Sequence, residues 1–291
     1  MSLEGKARAH GAITVVNAIA SGFGAAVGID LWTEATVKLT ETPGCIEGVI
    51  IGEPEESTVL IEKTVKKVLE RFGLKDKFGA HVETRSDIPI ARGLKSSSTA
   101  SNAIALATLA ALGKRLEDLA LVNLGVDASL EAGVTITGAF DDACTSYFGG
   151  LVLTDNYKRL LIKRYEIEEL PVLIFVPSGK AYTSESNVER MKLVGREAKA
   201  IHKIALSGEY WTAMTLNGFL YSSILEMNTS IAVNALHHGA IAAGLSGTGP
   251  AIAAVTEETN RDAVFKAWED LEGEIIETHI TNKKAQVIGL E

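Results

Sequence analysis

The chain has 291 residues, 46% hydrophobic and 22% charged, an ordinary globular composition with room for one large or two medium domains. A net charge of −9 excludes a general binder of nucleic acid or of anionic membranes, and no apolar run approaches the ~20 residues of a membrane span. Two cysteines, Cys45 and Cys144, with no CxxC or Cys/His cluster, exclude a disulfide scaffold and set the expectation of a reducing cytoplasm.

In chain order, the opening MSLEGKARAHGAITVV lacks a signal-peptide core, and Met1–Leu3 reads as a vector remnant. IEGVII (Ile46–Ile51) reads as a strand. STVLIEKTVKKVLERFG reads as a helix, capped by Ser57 and stopped by Gly73. AHVETRSDIPI alternates like a strand running into a loop, and two helices follow at about Ser96–Leu112 and Leu116–Ala132. GGLVLTDN (Gly149–Asn156) and LPVLIFVPSG (Leu170–Gly179) read as strands, the second buried on both faces. From Ser184 to about Ala242 the pattern is helical, with breaks near Ser207–Gly208 and Asn228. A Gly-rich turn in GLSGTGPAIAAVT then leads into a short strand. NRDAVFKAWEDLEG is an amphipathic helix, and EIIETHIT is a closing strand. The result is an α+β chain, divided near Asp155–Lys158 into residues 1–156 and 157–291.

Four segments carry features that folding alone does not demand. In DIPIARGLKSSSTASNAIALATLAAL (Asp87–Leu112), serines follow Pro89 and Gly93 at the start of a long helix. Such a start presents unpaired amides and the positive end of a dipole, a seat for an anion such as phosphate. Arg92 and Lys95 put positive charge there, although the GxxxxGK[ST] spacing of a Walker loop is absent. GLSGTGPA brings Gly247 and Gly249, which let backbone amides approach a ligand closely. TGAFDDACTSYFGG pairs Asp141 with Asp142, acids of the kind that orient or deprotonate a hydroxyl. Glu131 lies on the preceding helix. His237 and His238 are adjacent, so on a helix they diverge and make a poor metal pair.

The order of these segments resembles the small-molecule kinases named for galactokinase, homoserine kinase, mevalonate kinase and phosphomevalonate kinase (GHMP kinases). PIARGLKSSSTA is similar to their central signature, GLSGTGPA to their C-terminal glycine motif, and FDDACTSYFGG to the segment bearing their catalytic aspartate. NAIASGFGAAVGIDL (Asn17–Leu31) is more loosely similar to the N-terminal motif of the homoserine kinase branch. The resemblance implies a two-domain α+β kinase with a ribosomal-protein-like N-terminal half (1–156), a ferredoxin-like C-terminal half (157–291) and a site between them. It implies ATP and Mg²⁺ as cofactors. Pro89, Arg92, Gly93, Leu94, Lys95, Ser96, Ser97 and Ser98 would wrap the ATP phosphates, and Gly247 and Gly249 would close over the transferred one. Ser97 and Glu131 would hold magnesium. Asp141 matches the catalytic acid, whereas Asp142 falls where relatives usually carry an amide, so the motif does not choose between them.

The N-terminal lysine that pairs with the aspartate in mevalonate kinases has no match here, since Lys6 and Arg8 stand in a different context. The wording ARGLKSSSTASNA is most similar to the archaeal shikimate kinase branch, which implies shikimate as acceptor, with homoserine as the runner-up. Arg8, Arg92 and Arg190 are the candidates to hold its carboxylate. The competing readings are a non-catalytic nucleotide-binding homologue and a decarboxylase of the same fold. A monomer or homodimer in the cytoplasm, with no nucleic-acid or membrane partner, completes the expectation.

Overall fold

The computed structural model describes residues 3–178 and 188–289. Two long antiparallel strands, β1 (Glu4–Val16) and β2 (Phe23–Thr40), organise the first half, and the sequence pattern left both unassigned. At its start β1 has period two: Lys6 and Arg8 stay partly exposed while Ala7 and Ala9 are fully buried. Gly5, Ala7, Ala9, Gly11 and Ala12 of β1, and Gly24, Ala25 and Ala26 of β2, stand where larger side chains would announce a strand, and helices lie close against this sheet. Beside this pair, β3 (Ile46–Ile50) runs parallel to β4 (Gly79–Ser86), and the two are joined through helix α1 (Val59–Arg71). Strands β5 (Leu151–Asp155) and β6 (Leu160–Tyr165) extend the sheet from the first part of β2, so residues on both sides of 156 belong to it. Helices α2 (Ser96–Leu112) and α4 (Phe140–Phe148) cover it, and α3 (Asp118–Glu131) packs on α1, α2 and α4.

The second half carries an antiparallel four-stranded sheet. Its central strands are β7 (Pro171–Pro177) and β9 (Ile252–Thr256), with β8 (Ala240–Leu245) and β10 (Gly273–His279) at its edges. Helices α5 (Val188–Lys192), α6 (Gly195–Leu206), α7 (Tyr210–Ile224), α8 (Ser230–His237) and α9 (Arg261–Trp268) complete it. The chain then returns to the first sheet, where β11 (Gln286–Ile288) pairs with β1. One buried apolar cluster joins the halves, bringing Ile13, Val27, Leu94 and Leu153 together with Ile174, Met214 and Val255. This shared core fixes one half against the other, and with them the loops at their junction.

Most expected elements form, and the departures have physical causes. Gly73 ends α1 at φ +66°, as expected of a stop, but the N-cap is Thr58, one residue beyond Ser57. The helical stretch breaks at Ser207–Gly208 and Asn228, yet Ala240–Ala242 are strand. Pairing with β9 buries Ala242 and Ala243 completely, and that tertiary demand overrides the helix preference of alanine. Gly179 and Ser184–Asn187 lie outside the described residues. Among the described residues no helix is long and apolar enough to cross a membrane.

The seat of α2 is tight. A Cβ on Gly5 of β1 would collide with the carbonyl of Ala107 and lie 2.5 Å from the amide nitrogen of Ala111, both in the α2 backbone. Gly5→Ala must therefore push helix and strand apart, and should cost roughly 1–3 kcal/mol, read as a lower urea midpoint. An unchanged midpoint would contradict this packing.

Candidate active site

Three loops meet at the junction: the approach to α2, the β1–β2 turn, and the Ser246–Pro250 loop between β8 and β9. Gly93 adopts φ +83°, and a Cβ there would strike the Ser246 carbonyl, so only glycine permits the contact. The Ser246 hydroxyl donates to the Gly93 carbonyl (2.7 Å) and accepts from the Thr14 amide (3.2 Å). The Gly247 amide donates to Thr14 Oγ1 (2.8 Å), and Asn17 Nδ2 donates to the Gly247 carbonyl (2.9 Å). The Ala251 amide reaches the Arg92 carbonyl (3.2 Å). Segments more than 150 residues apart in sequence are thus locked edge to edge.

Beside this lock opens a cleft of about 380 Å³. On the side of β3, β4 and α1 it is walled by Ile50, Leu60 and Ile61, with Glu56, Ser57, Thr84 and Ser86 as polar edges. At the other end lie Ser96 and Ser97 of α2, Gly247 and Thr248, and the two acids. The serines do not cap α2. Its N-cap is Lys95, no side chain caps it, and its first turn holds no acid. The helix therefore presents uncapped first-turn amides and the positive end of its dipole toward the cleft.

The two aspartates share the first turn of α4 but have different partners. Asp141 is 5% exposed, and its Oδ1 accepts from Asn156 Nδ2 at 2.7 Å. Asn156 Oδ1 accepts in return from the Asp141 amide (3.2 Å) and from the Thr154 hydroxyl (2.6 Å), which fixes which way the amide faces. On its other side Asp141 abuts the backbone of β2, where a Cβ on Gly24 would lie 2.6 Å from the Asp141 carboxyl carbon. Asp142 instead pairs with Lys95 Nζ at 3.0 Å, the two side chains 15% and 8% exposed. Burial pushes the Asp142 carboxyl up to about 7; Lys95 pulls it down and Asp141 adds to the rise. Behind Gly24, burial lowers the pKa of His202, whose ring packs against Phe23 at 5.2 Å.

Of the residues singled out from sequence, Gly93, Lys95, Ser96, Ser97, Asp141, Asp142 and Gly247 line the cleft together. The others serve elsewhere. Leu94 is buried in the core shared by the two halves, and the Ser98 carbonyl accepts from the Ser101 hydroxyl. Arg92 donates to the Pro177 carbonyl, and the Gly249 amide closes the turn onto Ser246. Pro89 is not among the lining residues. Glu131 does not line the cleft; it is 48% exposed and pairs with Lys67. Lys6 and Arg8 are both committed to Glu34, and Arg190 pairs with Glu226, so none of these cations reaches the acids. Among the described residues no group of three or more His, Cys, Asp or Glu gathers as a metal centre, and His237 and His238 stand edge to face.

Sequence reasoning missed Asn156, Thr154, Thr14, Asn17 and Ser246. A signal existed for two of them, because Thr154 and Asn156 are polar residues at the end of the apolar run Leu151–Leu153, and both are fully or nearly fully buried. Buried polar groups need partners, and here they supply them to an acid.

The family description "GHMP kinases N terminal domain" matches residues 59–150, and "GHMP kinases C terminal" matches residues 204–272. Proteins named shikimate kinase from Methanosarcina mazei and Methanosarcina acetivorans are each 49% identical over 287 residues, covering 98% of this chain and 97% of theirs. The crystal structure of homoserine kinase from Cytophaga hutchinsonii superposes with a TM-score of 0.76 at 17% identity, over 99% of this chain and 98% of that one. The chain belongs to the GHMP kinases, which transfer a phosphoryl group from ATP to a small molecule.

Proposed function

We propose that this kinase phosphorylates shikimate to shikimate 3-phosphate in the cytoplasm, with Asp141 as the acid that meets the acceptor hydroxyl. Near-full-length likeness to archaeal proteins named shikimate kinase carries the acceptor, and the buried clamp on Asp141 carries the choice of acid. The apolar end of the cleft suits a flat adenine, with Thr84 and Ser86 to meet its polar edges. The triphosphate then runs past the Gly247–Thr248 turn toward the amides of Ser96 and Ser97, donors that stabilise negative charge without reorganising.

The residues present fit magnesium. Ser97 lines the phosphate end, where its hydroxyl oxygen would share the ion with phosphate oxygens and water. When bound, the ion neutralises charge on the transferring phosphoryl group. Glu131, held by Lys67, has no part in this reading.

Asp141 accepts a hydrogen bond from the shikimate hydroxyl and takes its proton as the oxygen bonds to the γ-phosphorus. The bond from that phosphorus to the β-γ bridging oxygen breaks, and ADP leaves. Asn156 keeps the carboxylate aimed, and Gly24 leaves room for it.

A coupled ADP-release assay with Mg-ATP and shikimate, homoserine, mevalonate or galactose tests the reading. ADP release should be stimulated by shikimate alone. Stimulation by another acceptor, or by none, would overturn the assignment. Asp141→Asn should lower kcat by about 10²–10⁴-fold with little change in KM for ATP; if Asp142→Asn does so instead, the wrong acid has been chosen. Two changes outside the cleft wall should act through Asp141. Asn156→Ala and Gly24→Ala should each lower kcat by roughly ten-fold or more, and unchanged turnover in both would show that the clamp does not aim the acid.

A further inference from the structure

Lys95 stands where its backbone is strained and its charge is nearly enclosed. It adopts φ +66°, ψ 28°, in the left-handed region that glycine occupies freely and a side-chain-bearing residue does not. A glycine would satisfy the turn at lower cost. Its ammonium is also almost fully withdrawn from water, a condition tolerated only where a partner is supplied, and Asp142 supplies it at 3.0 Å. Stability does not explain such a pair, because apolar groups of similar volume serve a fold at least as well as a buried ion pair. Strain of this kind, held in place by surrounding contacts, gathers where function needs it.

Location shows what the pair is for. Lys95 Nζ lies 3.3 Å from the point a Cβ on Gly247 would occupy, so the cation stands where the start of α2 meets the C-terminal glycine loop. Asp142, its partner, adjoins Asp141 in the first turn of α4. The ammonium therefore sits between the amides at the phosphate end of the cleft and the acid pair.

Resting on the kinase reading above, we propose that Lys95 is the cation reserved for the terminal phosphate of the bound nucleoside triphosphate, and that Asp142 is its holder rather than a proton acceptor. An ammonium carries three donors, so it can meet a phosphate oxygen while one donor remains on Asp142. The pair supplies from the α2 loop the positive charge that neither Lys6 nor Arg8 brings to the acids. It places that charge at the γ-phosphate end, away from the adenine slot.

The test is the affinity of the full chain for Mg-AMPPCP and for Mg-ADP by titration calorimetry, with the melting temperature of every variant recorded. Lys95→Met should weaken AMPPCP binding by roughly ten-fold or more and ADP binding by less than about three-fold, since only the first nucleotide has the γ-phosphate. Lys95→Arg should restore AMPPCP affinity to within about three-fold of wild type. Lys95→Met leaves Asp142 without its partner and can unfold the chain, so Lys95→Met with Asp142→Asn, which buries no lone charge, carries the same comparison and should show the same selective loss. Equal losses for the two nucleotides, or a lower melting temperature with both affinities intact, would overturn the proposal and make Lys95 a structural residue. These affinities need no acceptor. A wild type that binds both nucleotides but leaves shikimate untouched would thus remove shikimate from the reading above while the Lys95 comparison still decides this one.

Discussion

The hydroxyl of Ser246 holds together the parts on which the site depends. It donates to the Gly93 carbonyl and accepts from the Thr14 amide, tying the approach to α2, the first strand and the C-terminal glycine loop at one atom. A hydrogen bond of this kind contributes only about 1 kcal/mol net, so the lock cannot stand on its polar contacts alone. It stands because Ile13, Leu94 and Ala251, each next to or near a locked residue, are buried in the same apolar cluster. The core brings the three segments to one place, and the hydrogen bonds decide the register in which they meet.

That register gives two adjacent carboxylates different chemistry. Successive helix residues point about 100° apart, so Asp141 and Asp142 leave the same turn toward different neighbours. One is gripped by a neutral amide whose orientation is set by Thr154, and the other by a cation on a strained backbone. A carboxylate held by an amide keeps an oxygen for a substrate proton. A carboxylate held by an ammonium acts on that ammonium. The division follows from tertiary partners and from nothing in the dipeptide itself.

Helix α2 begins at the serine where the pattern placed it, and the glycine motifs were readable because their chemistry is local: a left-handed backbone is occupied most cheaply by Gly. Strands β1 and β2 escaped because their many Ala and Gly, which admit helices at close range, dilute the strand signature that Ile13, Thr14, Val15 and Val16 carry. Asn156 escaped because its worth lies in a partner 15 residues away. Lys95 was visible as a charge, but its backbone conformation and its tie to Asp142 exist only in three dimensions. Glu131 shows the converse, since its spacing matched a motif while its side chain found Lys67.

A crystal structure of the chain with Mg-AMPPCP and shikimate would show directly which acid meets the hydroxyl. The terminal phosphate should lie on the amides at the start of α2 and beside Gly247, with the shikimate hydroxyl against Asp141 and the Asn156 clamp unbroken. A triphosphate seated away from Ser96, Ser97 and Gly247, or a hydroxyl held by Asp142 instead, would contradict that arrangement.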